Sequence, residues 1–196
     1  MAEVSLPIRE LTRSAARKIA PGSFEPENHF YPRVLNAQVH PLVSFFMNMG
    51  RARIVERYCH LNPAVNPESL EKILSFAPRF FRWAGADLFC TTNAEGNRRM
   101  VLIETNSCPS GNKSMPLLSD DQEQGGYRTL MERMFYPLLK RRGLPEGALA
   151  VLYDKNFTEA SGYAAALADL TGESVYLTPL PADAEDPPAR FRDRQL

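Results

Sequence analysis

Cysteine is scarce in this chain and never clustered. Cys59, Cys90 and Cys108 are an odd, widely spaced set of three, which argues against both a disulfide framework and a zinc site. Net charge is missing too, because 23 basic residues offset 23 acidic ones. A balanced chain sets up no overall field toward nucleic acid or a membrane surface, so charge selects no partner. No apolar run approaches the roughly 20 residues that span a bilayer. The opening Met1-Ala2-Glu3-Val4-Ser5 lacks the basic cap and apolar stretch of a secretory signal. Neither a nucleic-acid nor a membrane partner is expected, and a reducing cytoplasm is the expected location. The phosphate-binding loop G-x-x-x-x-G-K-[ST], the fingerprint G-x-G-x-x-G and the nucleophile elbow G-x-S-x-G are absent as well. His29, His40 and His60 all precede Cys108 with no flanking signature, so a thiol nucleophile is not indicated.

What is present suits a globular protein: 196 residues, 44% of them hydrophobic, enough for one domain or two small ones. Residues 8–20 read as a short basic helix ended by Pro21-Gly22. Residues 21–41, with several prolines and aromatics, read as ordered but irregular. Residues 42–61 carry Val43, Phe46, Met47, Ile54 and Tyr58 at roughly helical spacing, with Gly50 as a weak point. Asn66-Pro67-Glu68 has the order of a helix start: N-cap, proline at the first helical position, then an acid. Phe80, Phe81 and Trp83 read as core, since no basic stripe interleaves them.

Two strands, residues 86–91 and 99–105, flank the turn residues Asn93-Ala94-Glu95-Gly96-Asn97 and predict a hairpin. The run Met100-Val101-Leu102-Ile103 predicts a strand buried on both faces. Residues 126–142 predict an amphipathic helix, with Arg141 and Arg142 near its C-terminus and Gly143 closing it. The rhythm then changes to a short strand over 148–153, an alanine-rich helix over 159–170 and a strand over 174–177. That is one strand–helix–strand unit of a parallel sheet. The expected fold is therefore α/β. An α+β part with an antiparallel hairpin occupies 1–147, and an incomplete parallel unit occupies 148–196.

Chemistry concentrates where the second hairpin strand ends. Glu104 and Asn106 lie two apart, so alternation puts both side chains on one face. A carboxylate beside an amide carbonyl offers hard oxygen donors suited to magnesium, which also takes phosphate oxygens and water. Asp87 on the partner strand is the natural third ligand. A turn centred near Glu95 would set Asp87 against Ile103 instead, and a bulge near Gly96 would correct the register. The loop Ser107-Cys108-Pro109-Ser110-Gly111-Asn112-Lys113-Ser114 follows. Its successive amides are suited to holding an anion, with Lys113 adding a point charge.

The order of Asp87-Leu88-Phe89, a hairpin, and Val101-Leu102-Ile103-Glu104-Thr105-Asn106-Ser107-Cys108-Pro109-Ser110-Gly111 resembles the magnesium-binding end of ATP-grasp ligases. Because it precedes the strand–helix–strand segment, it is similar to the circularly permuted group that includes glutathionylspermidine-synthase-like proteins. The resemblance covers about residues 85–178 and is specific mainly at 87–111. It implies ATP and Mg2+ as cofactors, with Asp87, Glu104 and Asn106 as metal ligands. It places Ser110, Gly111 and Asn112 in the binding loop, Ser110 and Gly111 beside the acceptor. Lys113 is expected to hold the acceptor or the transferred phosphoryl group.

The implied activity is ATP-dependent joining of a small-molecule carboxylate to an amine through an acyl phosphate. The segment from 148 would begin a Rossmann-like preATP-grasp unit. No lysine-bearing nucleotide lobe follows it, so a partial chain, inactive alone, is expected. The rival expectation is a catalytically inactive ATP-grasp-derived binding or scaffold module. A third is a small-ligand binder using Asp154-Lys155-Asn156 at the mouth of the parallel unit.

Overall fold

A computed structural model describes residues 15–79, 82–106, 110–117, 122–140, 147–180 and 188–190. Its elements begin with strand β1 (Arg17–Ile19) and helices α1 (Pro26–His29), α2 (Pro41–Met47), α3 (Arg51–Leu61) and α4 (Pro67–Ser75). Strands β2 (Gly85–Thr92) and β3 (Arg98–Asn106) follow, then a 3-10 turn (Asn112–Ser114). A helical stretch comprises α5 (Gly125–Leu130), a π turn (Met131–Phe135) and α6 (Tyr136–Leu139). Strand β4 (Leu149–Tyr153), helix α7 (Phe157–Thr171) and strand β5 (Val175–Pro179) complete the set. The chain is thus mixed α/β, with one three-stranded sheet and one two-stranded hairpin among the described residues.

Contacts divide the chain into two compact units, residues 1–38 with 110–196, and residues 39–109. The strand–helix–strand segment, which the sequence sets apart at residue 148, therefore shares its unit with residues on both sides of the second unit.

The first unit is organised around α7. Its sheet has the order β1-β5-β4, with β4 parallel and β1 antiparallel to β5. Arg17–Ile19 is thus a strand, not the end of a basic helix. The free edge of β5 claims those backbone groups, and tertiary pairing overrides local propensity. The rest of that expected helix, before residue 15, lies outside the described residues. Along β5, Val175, Leu177, Thr178 and Pro179 are buried and only Tyr176 is exposed.

Alanine dominates the buried part of α7, at 160, 164, 165, 166 and 168. Small side chains let neighbouring elements approach its backbone. Tyr127 does so most closely, for a Cβ built on Gly162 would lie 2.6 Å from its ring. Tyr127 is fully buried and meets Phe24, His29, Phe30 and Tyr163 in tilted or edge-on ring contacts, with centroids 5.2–6.5 Å away. The irregular segment near residue 30 is ordered by that aromatic core. Helix α7 ends on Gly172, whose φ of 72° lets its N–H reach Ala168 O. The expected helix over 126–142 continues only as far as Leu139 with an internal π turn. Arg141, Arg142 and Gly143 lie outside the described residues.

His29 is buried in that core, with Nδ1 3.0 Å from Ser161 Oγ. Ser161 gives its hydroxyl hydrogen to Thr158 O, which assigns the His29 proton to Nδ1 in a neutral ring. Burial lowers the His29 pKa to about 4 from 6.5. The unfolded chain therefore takes up a proton near pH 6.5 that the folded one refuses until about pH 4. Stability is full above pH 6.5 and falls as pH drops through that window. Between pH 7.5 and 5 the expected loss from this group is on the order of 1–2 kcal/mol. Urea midpoints at the two pH values, compared between wild type and His29→Gln, measure it. An equal drop in the variant would remove His29 as the cause.

In the second unit, the helical pattern over 42–61 is split. Helix α2 stops at Met47, and α3 restarts with Gly50 as its N-cap. Glycine costs most inside a helix and little at a cap, so the break falls there. Asn66 caps α4 as its residue type predicts, its Oδ1 accepting from Ser69 N at 2.9 Å. The hairpin turn is held by Asn93, whose side chain accepts from Asn97 N, while Gly96 adopts a φ of 81°. Phe80 and Phe81 lie outside the described residues.

No described residue of this unit is buried. Val101, Leu102 and Ile103 are 43%, 56% and 52% exposed, which corrects the expectation of a strand covered on both faces. A continuous apolar run is compatible with a strand but does not by itself supply the layers that cover it.

Candidate functional site

The residues singled out by chemistry fall into two clusters, one in each unit. On the hairpin, Asp87 stands directly opposite Glu104, and Gly85 opposite Asn106. Between Asp87 and Leu88 the register shifts, because Leu88 pairs with Leu102 and Ile103 is left as the extra residue of a bulge. The correction to the ladder therefore lies beside the acids, not at the turn near Gly96.

The consequence is a change of face. Without the bulge, Asp87 would face Ile103. With it, Asp87, Glu104 and Asn106 project from one side of the hairpin. Asn106 Nδ2 lies 3.5 Å from Glu104 Oε1, so the two side chains already meet. Asp87 and Glu104 are both exposed, so neither carboxylate carries the cost of burying a charge.

The chemistry of this donor set fits magnesium in one respect. Two carboxylates and an amide oxygen are hard donors, too few for an all-protein cage, and they leave positions for water and phosphate oxygens. Among the described residues no three His, Cys, Asp or Glu side chains gather around one point. A zinc-like or calcium-cage site is not built from them.

The second cluster surrounds the 3-10 turn. Ser110 and Gly111 lead into it, and Asn112 and Lys113 form it. Both turn amides point at one carboxylate on α7: Asn112 N donates to Glu159 Oε1 at 3.0 Å and Lys113 N to Glu159 Oε2 at 3.1 Å. Tyr163, one helical turn after Glu159, adds its hydroxyl to Oε1 at 3.1 Å and accepts from Asn112 Nδ2 at 2.8 Å. Asn112 also needs the bare backbone of Gly126, where a Cβ would fall 2.2 Å from its Oδ1.

Lys113 is buried, not presented to solvent. Its Nζ donates to Ser110 O at 2.7 Å and Ser110 Oγ at 3.0 Å, and lies 3.6 Å from Glu159 Oε2. The anion that the sequence led us to expect at these amides is present, and it is the protein's own Glu159. Tyr127, close by, has its pKa raised by burial first and by the Glu159 charge second. Its hydroxyl stays protonated and donates to His29 O at 2.8 Å.

Glu159 and Tyr163 are the site residues that sequence reasoning missed. Their signal was available: they sit at i and i+4 on a face continued by Ala166 and Leu170, and an acid on an apolar helix face needs a buried partner. What the pattern lacked was any pointer to residues 46 and 47 positions earlier. Asp154 and Lys155, at the end of β4, form an exposed ion pair at 3.8 Å, the geometry of a solvated loop. Cys108 and Pro109 lie outside the described residues.

Comparison with protein-family models, with curated proteins and with solved structures finds no match for this chain.

Proposed function

We propose that this chain carries the metal-binding part of an ATP-dependent carboxylate–amine ligase of the circularly permuted ATP-grasp type. The observation that supports this reading most is the bulge that turns Asp87 toward Glu104 and Asn106 on the hairpin. A bulge costs ladder hydrogen bonds and is a specific feature of a strand pair. Here it gathers the three oxygen-bearing side chains that the ligase resemblance assigns to magnesium.

In this reading Asp87, Glu104 and Asn106 hold magnesium, whose charge offsets that of the triphosphate. Asp87 and Glu104 supply the negative charge, and Asn106 supplies a neutral oxygen that limits repulsion between the acids. The substrate carboxylate would attack the γ-phosphorus of ATP and release ADP, and an amine would then displace phosphate from the acyl phosphate to form the amide. Ser110, Gly111 and Asn112 belong to the loop that meets the acceptor. Lys113 serves that loop from within, because its ammonium is engaged by Ser110 and Glu159. A direct role in holding the acceptor or the phosphoryl group would require it to leave both.

That engagement also favours the second reading, a non-catalytic module in which the loop is kept for folding. Calorimetric titration separates the two. The ligase reading expects heat on adding ATP in the presence of magnesium and little without it. Equal heats under both conditions, or none, would favour the module.

A further inference from the structure

We propose that Glu159 is the positioning residue of the 110–114 turn, acting as a built-in anion around which two consecutive backbone amides and Lys113 are organised. This goes beyond the ligase reading and does not depend on it. The turn has the elements of an anion-binding nest: successive N–H groups converging on one point, with a cation beside them. Both oxygens of the buried Glu159 carboxylate fill that point, at 3.0 and 3.1 Å from the Asn112 and Lys113 nitrogens. Tyr163 and the Lys113 ammonium complete its surroundings.

The bonding leaves little unassigned. Oε1 accepts from Asn112 N and Tyr163 Oη, and Oε2 accepts from Lys113 N while facing Nζ. Lys113 spends its own donors on Ser110 O and Oγ, closing the turn from Ser110 back onto itself. The link continues outward, since Lys113 O accepts from Tyr31 N at 2.8 Å. One carboxylate on α7 therefore fixes the turn, and through it the chain at residue 31. In the wild-type protein these two amides are unavailable to a substrate carboxylate or phosphate, because the site already contains a carboxylate.

The test reads the turn itself. Hydrogen exchange at the Asn112 and Lys113 amides is compared in wild type, Glu159→Gln and Glu159→Ala, each with sodium acetate or with sodium chloride at equal ionic strength. Both amides should be protected in wild type. In Glu159→Gln the side-chain NH2 group faces one of the two donors, so at least one amide should exchange about tenfold faster or more. In Glu159→Ala both should be released, and acetate should restore protection saturably while chloride does not.

Unchanged protection at both amides in Glu159→Gln would overturn the proposal. So would identical effects of acetate and chloride on a folded Glu159→Ala. If Glu159→Ala does not fold, the Gln variant decides alone. Failure of the magnesium-dependent ATP heat would remove the ligase reading and leave these exchange results standing.

Discussion

Gly162→Ala is expected to destabilise the first unit by about 1–2 kcal/mol, because an overpacking cost at the upper end of about 1–3 kcal/mol outweighs the roughly 1 kcal/mol by which alanine is the better helix former. The added methyl would lie 2.6 Å from two ring atoms of Tyr127 and 2.9 Å from a third. Contacts that short demand movement. The ring cannot rotate away freely, because its hydroxyl is tied to His29 O and its faces and edges meet Phe24, Phe30 and Tyr163. Moving α7 instead would disturb Val175 and Leu177 on the sheet, both fully buried.

Chemical denaturation of the single variant gives the size of the loss. A double-mutant cycle with Tyr127→Leu assigns its cause, since a clash between these two residues makes the double variant less unstable than the sum of the singles. If Gly162→Ala is as stable as wild type, close approach of Tyr127 is not what excludes a side chain there.

On the proposed ligase reading, Glu104→Ala, made in a longer protein that also carries a nucleotide-binding lobe, is expected to reduce magnesium-dependent ATP hydrolysis by at least about 100-fold, with no change in secondary structure. On that reading the size follows from removing one of the two carboxylates proposed to hold magnesium, since losing one electrostatic group at a reacting centre costs about 100- to 1,000-fold. The fold should tolerate the change because Glu104 is exposed and no described residue of its unit is buried. Thr105→Ala is the control. It sits on the same strand, pairs with Ala86 and projects from the opposite face, so its turnover should match wild type. Undiminished hydrolysis in Glu104→Ala sinks the metal assignment. Absence of hydrolysis from that longer wild-type protein would favour the module.

These two sites show where sequence was sufficient and where it was not. The hairpin, the Asn66 cap and the β4–α7–β5 segment were legible because each rests on local chemistry: turn residues, a capping side chain, a period of two or of 3.6. The bulge was not. Ile103 is as apolar as its neighbours, so Met100-Val101-Leu102-Ile103 carries no mark of which residue is the extra one. Only the pairing with β2 decides that.

Strand β1 was illegible for a related reason. Arg17-Lys18-Ile19 has no strand pattern, and its conformation comes from a partner edge far along the chain. Lys113 was identified as a cation near a loop of amides, which is where it lies. Its burial against Glu159 depends on a contact between distant segments that no local spacing encodes.

That same distance bears on how the protein is made. Strand β1 pairs Arg17 with Leu177 and Ile19 with Val175, so its partner is translated last among the elements of the sheet. At a synthesis rate of about 5–20 residues per second, β1 waits roughly ten to thirty seconds for that edge to exist. The aromatic side chains of Phe24 and Phe30 wait with it, since Tyr127 and α7 also come later. Folding of the first unit is thus post-positional: the start of the chain cannot commit until residues near 180 leave the ribosome, and the whole of 39–109 must pass in between.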